Sequence, residues 1–353
     1  MSRIYLDHAA TTPLRPEARE AMLRGFSMWA NPSSPHAEGR RARAALEEAR
    51  ERVKVALGWD GEVIFTSGAS EALAIGLGRA KADRRIVSAV EHDAVFRAAP
   101  DAEVLPVRDG LPDVELAENL LNSGGRAVLA VQHINSETGT ILLPHANNPV
   151  VEVARKHGAL FLADCSQSAG KTPLPDADMV VVSAHKLGGP VGVGALLVRD
   201  FAILEPVGGH ERGYRAGTEN LPGVLGFVEA LQAGDIDSWG TTFEQRFDFG
   251  NRLFGGGEVL SPGAMSSHIF AIAHETLSSA ALLIRLDAMG FAVSAGSACS
   301  SGTLKRSRAL EAFGIGEDVA RRTIRVSLGW NTSPAELGRF AETWASLGRE
   351  KAA

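Results

Sequence analysis

Between Glu62 and Val198 this chain alternates short apolar runs with stretches of helical spacing, and few folds tolerate that pattern. "EVIF", "RRIVSAV", "RAVLAVQ", "ALFLA" and "ADMVVVSA" are of strand length and read as continuous apolar runs. "SEALAIGLGRA" and "PVVEVARKHG" between them have helical spacing, as does the preceding "SPHAEGRRARAALEEARERVKVALG", with arginines and glutamates on its wet face. "RRIVSAVEHDAVF" reads as a strand followed by a loop. Strands buried on both faces and joined through helices predict a mostly parallel central sheet flanked by helices, an α/β fold. In such sheets ligands sit outside the carboxyl ends of the strands. Every polar residue just after a strand is therefore a site candidate.

From about Gly223 strict alternation stops. Helical "LPGVLGFVEALQAG" leads through a Gly-rich loop to "SHIFAIAH", helical "SSAALLIRLDAMG", the small-residue loop "SAGSACSSGT" and strand-like "TIRVSLG". This texture predicts a smaller α+β domain, so the expected division is residues 13–222 for the large domain and 223–353, with 1–12, for the small one. At 353 residues the chain has room for both. A net charge of −6 argues against a nucleic-acid partner. No run reaches membrane-spanning length, and "MSRIYLDHAATT" lacks the layout of a signal peptide, so no membrane partner is expected. Two cysteines make no disulfide framework and fit a reducing, cytoplasmic setting.

Three strand ends then stand out. "TSGAS" after "EVIF" offers free backbone N–H groups at a helix start with the Ser70 hydroxyl beside them, which suits a phosphate; Ser70 reads equally as an ordinary helix cap. Asp164 closes "ALFLA", where a carboxylate either caps the next turn or pairs with a protonated ring nitrogen, with Gln167 in reach of the same ring. Lys186 follows "VVVSA", with Ser183 and His185 before it and glycines after it, in a chain poor in lysine. A partly desolvated lysine is what Schiff-base chemistry requires. A phosphate cradle, an acid for a pyridinium nitrogen and an amine for an aldehyde are the three handles of pyridoxal 5'-phosphate. His92 supplies a flat ring able to stack on it, or is simply structural.

The motifs "YLDHAATTPLRPEA", "NPSSPHAEGR", "FTSGASEA", "EHDAV", "NSETGT", "ADCSQSAGK", "SAHKLGGPVGVGAL", "GGHERGYRAGTEN", "GSACSSG" and "IRVSLG" occur in that order over almost the whole chain. In this set the chain resembles the cysteine desulfurases, class V members of the fold-type I pyridoxal-phosphate enzymes. The resemblance implies Lys186 as the cofactor-holding lysine, Asp164 and Gln167 on the pyridine nitrogen and phenolic oxygen, and His92 stacked on the ring. It gives Ala69, Ser70, Ser183 and His185 to the phosphate. Asn135 or Ser136 would contact cofactor and substrate, because "NSE" stands where the family has "NNE". Thr218 would reach the neighbouring subunit's phosphate, which implies a homodimer, and Arg325 would clamp the substrate carboxylate.

Cys299, in a loop of small residues, sets the implied reaction: L-cysteine to L-alanine, with the sulfur left as a persulfide on Cys299 and passed to an iron–sulfur scaffold or another acceptor. Cys165, beside Asp164, reads as a small buried hydrophobe. The alternative keeps the cofactor and changes the reaction, to an aminotransferase, a selenocysteine lyase or another C–S lyase; Cys299 on its loop is the feature that an aminotransferase does not need.

Overall fold

The computed structural model describes residues 3–144, 148–234, 236–295 and 307–349. Its larger sheet has seven strands in the order Glu62–Thr66, Gly194–Val198, Met179–Ser183, Leu160–Asp164, Ala127–Gln132, Arg84–Ser88, Glu103–Leu105. Gly194–Val198 runs antiparallel to both neighbours and the remaining pairs are parallel. Consecutive residues of a strand point to opposite faces. Val63 and Phe65 accordingly join one apolar cluster with Val180 and Val182, while Ile64, Met179 and Val181 join another on the opposite face. Both faces are covered, which is why these strands carry no polar alternation.

The covering helices follow from local chemistry. Ala37–Leu57 begins where the His36 ring accepts from the Gly39 amide at 3.2 Å and ends at Gly58, in the left-handed region at φ 62°. Its buried stripe is Ala42, Leu46, Ala49 and Val53. After Arg84–Ser88 the structure departs from the expected loop: His92 caps a short helix, Asp93–Ala98, by accepting from the Ala94 amide at 3.1 Å. A cap residue followed by only six helical positions leaves little periodicity to read in sequence. Helix Leu221–Gln232 spans the 222/223 position and buries Leu221, Val224, Phe227 and Val228 in the large-sheet core.

A second, antiparallel sheet has the order Glu258–Leu260, Ile269–Ala273, Thr323–Ser327, Ser294–Ala295. Its core includes Ile272, Ile324, Leu282 and Trp344. The N-terminal segment links the two sheets. Ile4–Tyr5 pairs parallel with Phe291–Ala292, Asp7 bridges to Ser327, and the chain then crosses to Thr12, whose amide donates to the His185 carbonyl at 2.8 Å. Among the described residues no helix is long and apolar enough to cross a membrane.

Candidate active site

A cavity of about 710 Å³ opens at the carboxyl ends of the large-sheet strands, a size suited to a cofactor with its substrate. Ala69, Ser70, His92, Ser136, Asp164, Gln167, Ser183, His185, Lys186 and Arg325 all line it. Lys186 ends a single 3-10 turn, Ala184–Lys186, that follows Met179–Ser183. Its ammonium donates to the Ala9 and Ala10 carbonyls at 2.5 and 2.8 Å. Burial is the main reason its pKa falls to about 8; Arg325 lowers it further, against Asp164 and Asp7. A far larger share of this amine than of an ordinary lysine is therefore in the neutral, nucleophilic form near physiological pH.

The N-terminal segment is the part of the site that residue-type reasoning missed. The Ala9 carbonyl accepts from Gln167 Nε2 at 2.9 Å as well as from Lys186. Thr11 Oγ1 meets His185 Nδ1 at 3.1 Å, and Asp7 Oδ1 accepts from Arg325 Nη2 at 2.8 Å. Backbone carbonyls carry no signature in sequence; only the position of the segment reveals them.

The anion cradle forms where Glu62–Thr66 turns into helix Ala69–Gly78 through Gly68, at φ 144°. A Cβ on Gly194 would sit 2.7 Å from the Gly68 Cα, so only glycine lets the neighbouring strand close on this turn. Ser67 N donates to Glu71 Oε2 at 2.5 Å, and Arg215 pairs with the same carboxylate at 3.2 Å. Ala69 and Ser70 face the cavity from the first helical turn, with Ser183 and His185 also on its wall. Burial, with Lys186 and Lys171 nearby, lowers the His185 pKa to about 4 and keeps its ring neutral.

Asp164, at the tip of Leu160–Asp164, also caps the next turn: its Oδ1 accepts from Ser166 N at 2.9 Å and from the Ser166 hydroxyl at 2.6 Å. His92 lines the cavity from its cap position, its pKa lowered mainly by burial. Glu91, beside it, is a cavity residue with no signal in the sequence. It is buried, accepts from Gln132 N at 2.7 Å, and burial holds its carboxyl well above the usual range.

Between the two alternatives in "NSE", the structure brings Ser136 to the cavity and not Asn135. The Asn135 side chain is buried in its own turn: Oδ1 accepts from the Glu137 and Thr138 amides, both at 2.9 Å, and from the Thr138 hydroxyl, while Nδ2 donates to the Val90 carbonyl at 3.1 Å. An amide so committed has little capacity left for a ligand. Arg325, on Thr323–Ser327, is 6% exposed and donates through Nη1 to the Ser136 carbonyl at 2.9 Å. Thr218 is exposed on a loop and does not line the cavity. Cys299 lies outside the described residues. Cys165 is fully buried, and burial pushes its thiol up, away from reactivity.

Depressed lysine, anion cradle and strand-tip carboxylate around one cavity define an α/β enzyme of the amine-nucleophile kind. The chain belongs to the Aminotransferase class-V family, whose sequence model matches residues 4–340. It is 35% identical to the cysteine desulfurase of Cereibacter sphaeroides, with 97% of this chain and 95% of that protein covered. It is 34% identical to cysteine desulfurase IscS of Dictyoglomus turgidum, over 95% of this chain and 91% of the relative. Among solved structures, a NifS-like protein superposes with TM-score 0.86 at 27% identity, covering 98% of this chain and 99% of its own.

Proposed function

We propose that this protein is a pyridoxal 5'-phosphate-dependent cysteine desulfurase that moves the sulfur of L-cysteine onto Cys299 and releases L-alanine. The observation that carries the reading is Lys186, a desolvated amine with a pKa lowered to about 8, set in the cavity with the anion cradle and Asp164. The names of the full-length relatives support it.

The cavity fits the cofactor. Three buried polar atoms on its lining residues have no protein partner: Gln167 Oε1, Glu91 Oε2 and Arg325 Nε. Such atoms are costly unless a ligand answers them. Ala69, Ser70, Ser183 and His185 would hold the phosphate, Asp164 the ring nitrogen, Gln167 and Ser136 the phenolic oxygen, and His92 the ring face. Thr218, exposed and off its own cavity, suits a contact to the phosphate of a second subunit in a homodimer. Bound there, the cofactor supplies an aldehyde for amines and a ring that draws off electron density.

The chain's own groups do the rest. Lys186 gives and takes a proton at Nζ, with the Ala9 and Ala10 carbonyls holding its hydrogens at rest. His92 stays neutral and able to accept a proton, because burial opposes its charged form. Arg325 takes the substrate carboxylate. The Cys299 thiolate forms a bond to the substrate sulfur as the carbon–sulfur bond breaks, and the carbon takes a proton to complete alanine. The sulfur then leaves Cys299 for an acceptor protein, with an iron–sulfur scaffold among the candidates, in a reducing cytoplasm that keeps the thiol free. Two domains enclose this chemistry: helix Leu221–Gln232 goes with the seven-stranded sheet, and residues 3–7 go with the four-stranded one before the segment crosses to the Lys186 side.

The deciding assay is sulfide and alanine release from L-cysteine with a thiol reductant, run beside Cys299→Ala. The wild type should release both in equal amounts and the variant no sulfide. Sulfide from both proteins would replace this reading with a direct C–S lyase; none from either would remove it.

A further inference from the structure

We propose that Asp7 is an internal carboxylate that occupies Arg325 at rest and is exchanged for the carboxylate of the incoming amino acid. This rests on reading Arg325 as the substrate clamp. The geometry of the pair is the starting point. Arg325 Nη2 donates to Asp7 Oδ1 at 2.8 Å and Nη1 donates to the Ser136 carbonyl at 2.9 Å, but Nε is buried with no partner. A guanidinium built only to brace two segments normally presents two parallel N–H groups to both oxygens of its carboxylate. Asp7 takes one arm of that fork and leaves the adjacent Nε unanswered on a residue that lines the cavity. A free carboxylate that displaced Asp7 would find both N–H groups, and the orphan would be satisfied.

Burial sharpens the argument. The Arg325 side chain is 7% exposed and that of Asp7 19% exposed, so an unpaired guanidinium would be costly in an empty site. Asp7 removes that cost until substrate arrives, and its greater exposure gives it water to turn toward. The exchange also keeps the charge around Lys186 constant. Arg325 pulls the Lys186 pKa down and Asp7 pushes it up, so one carboxylate beside Arg325, internal or external, leaves the amine poised in the same range. Recognition then favours ligands whose carboxylate engages both Nε and Nη2, which specifies α-amino carboxylates over neutral amines of the same size.

The test uses the cofactor-loaded protein and propionate, a carboxylate with no amine to react. Isothermal titration calorimetry would compare the wild type, Asp7→Asn and the double variant Asp7→Asn/Arg325→Leu. Asparagine keeps an oxygen for Nη2 and so holds the loop, but removes the competing charge. Asp7→Asn should bind propionate about tenfold more tightly than the wild type, ~1.4 kcal/mol, and the double variant should lose that gain. Equal or weaker affinity in Asp7→Asn, including no binding by either protein, would overturn the exchange. If the double variant bound as tightly as Asp7→Asn, the clamp reading of Arg325 would fall, and the exchange with it. Weaker binding by the double variant, without a gain in Asp7→Asn, would leave the clamp standing and remove only the exchange.

Discussion

Asn135 and Ser136 are neighbours that one turn sends to different places, Ser136 to the cavity and Asn135 into the turn itself. The buried Asn135 amide closes the turn that presents Ser136 and Glu137 to the cavity, through three bonds to Oδ1 and one from Nδ2. Asn135→Ala strips the Oδ1 partner from the part-buried Glu137 amide and the buried Thr138 amide, each worth about 1–3 kcal/mol when left unsatisfied, while the Val90 carbonyl keeps Gln132 Nε2. The variant should lose at least ~2 kcal/mol in urea unfolding, whereas Ser136→Ala should unfold like the wild type and hold pyridoxal phosphate less tightly. The reverse pattern would return Asn135 to the cofactor. Lys186 and Asp164 were legible in sequence because a charged side chain at the end of a continuous apolar strand costs desolvation energy unless something pairs with it. The choice within "NSE" was not, because both residues can bond to a ligand and only the direction of the turn separates them. Asp7, Ala9 and Ala10 were hidden in another way: two of them act through carbonyls that every residue has.

At the scale of elements, the cradle strand Glu62–Thr66 is held by a buried ion pair. Arg50 of helix Ala37–Leu57 meets Glu211 with Nη1–Oε2 at 2.8 Å and Nη2–Oε1 at 3.3 Å, and their side chains are 2% and 0% exposed. The same Glu211 oxygen accepts from Phe65 N at 2.8 Å, and Arg50 lies over the Phe65 ring. Glu211 adopts φ 47°, a conformation an ordinary side chain seldom holds without compensation. Helix, strand and the 208–215 loop are thus fastened at one carboxylate. Glu211→Ala would take from Arg50 its buried carboxylate and leave it only the part-exposed Glu47, 3.5 Å from Nε, and the Val63 carbonyl; removing one partner of a buried pair costs about 3–5 kcal/mol. A fall in urea stability of that size is expected, and a loss under ~1 kcal/mol, the range of exposed pairs, would show that the fastening is not there. The apolar alternation made the strand and helix legible. Their fastening was not, because Arg50 reads as one more residue on a wet face and its partner lies far along the chain.

Across the whole molecule, stability should depend on pH through histidines buried in three different places. His8 on the N-terminal segment, His133 just after strand Ala127–Gln132 and His268 beside the small sheet are all nearly inaccessible, at 3%, 7% and 2% exposure. Burial is the main cause that lowers His8 to about 3, His133 to about 4 and His268 well below its usual value. The sign follows from linkage. With the folded pKa depressed below the unfolded value of about 6.5, the unfolded chain binds more protons between those limits, so stability is lost as pH falls through that window. Glu91 and Glu137, both raised by burial, act in the opposite sense, so the total slope mixes the two groups. A single substitution isolates one contribution. His133→Gln keeps a donor but cannot be protonated. Its drop in unfolding free energy between about pH 7 and pH 5 should be smaller than the wild type's by ~2 kcal/mol, the linkage expected for a histidine held near 4. Urea titrations of the two proteins at both pH values measure this directly, and parallel slopes would mean that His133 gains its proton in the folded protein as readily as in the unfolded chain.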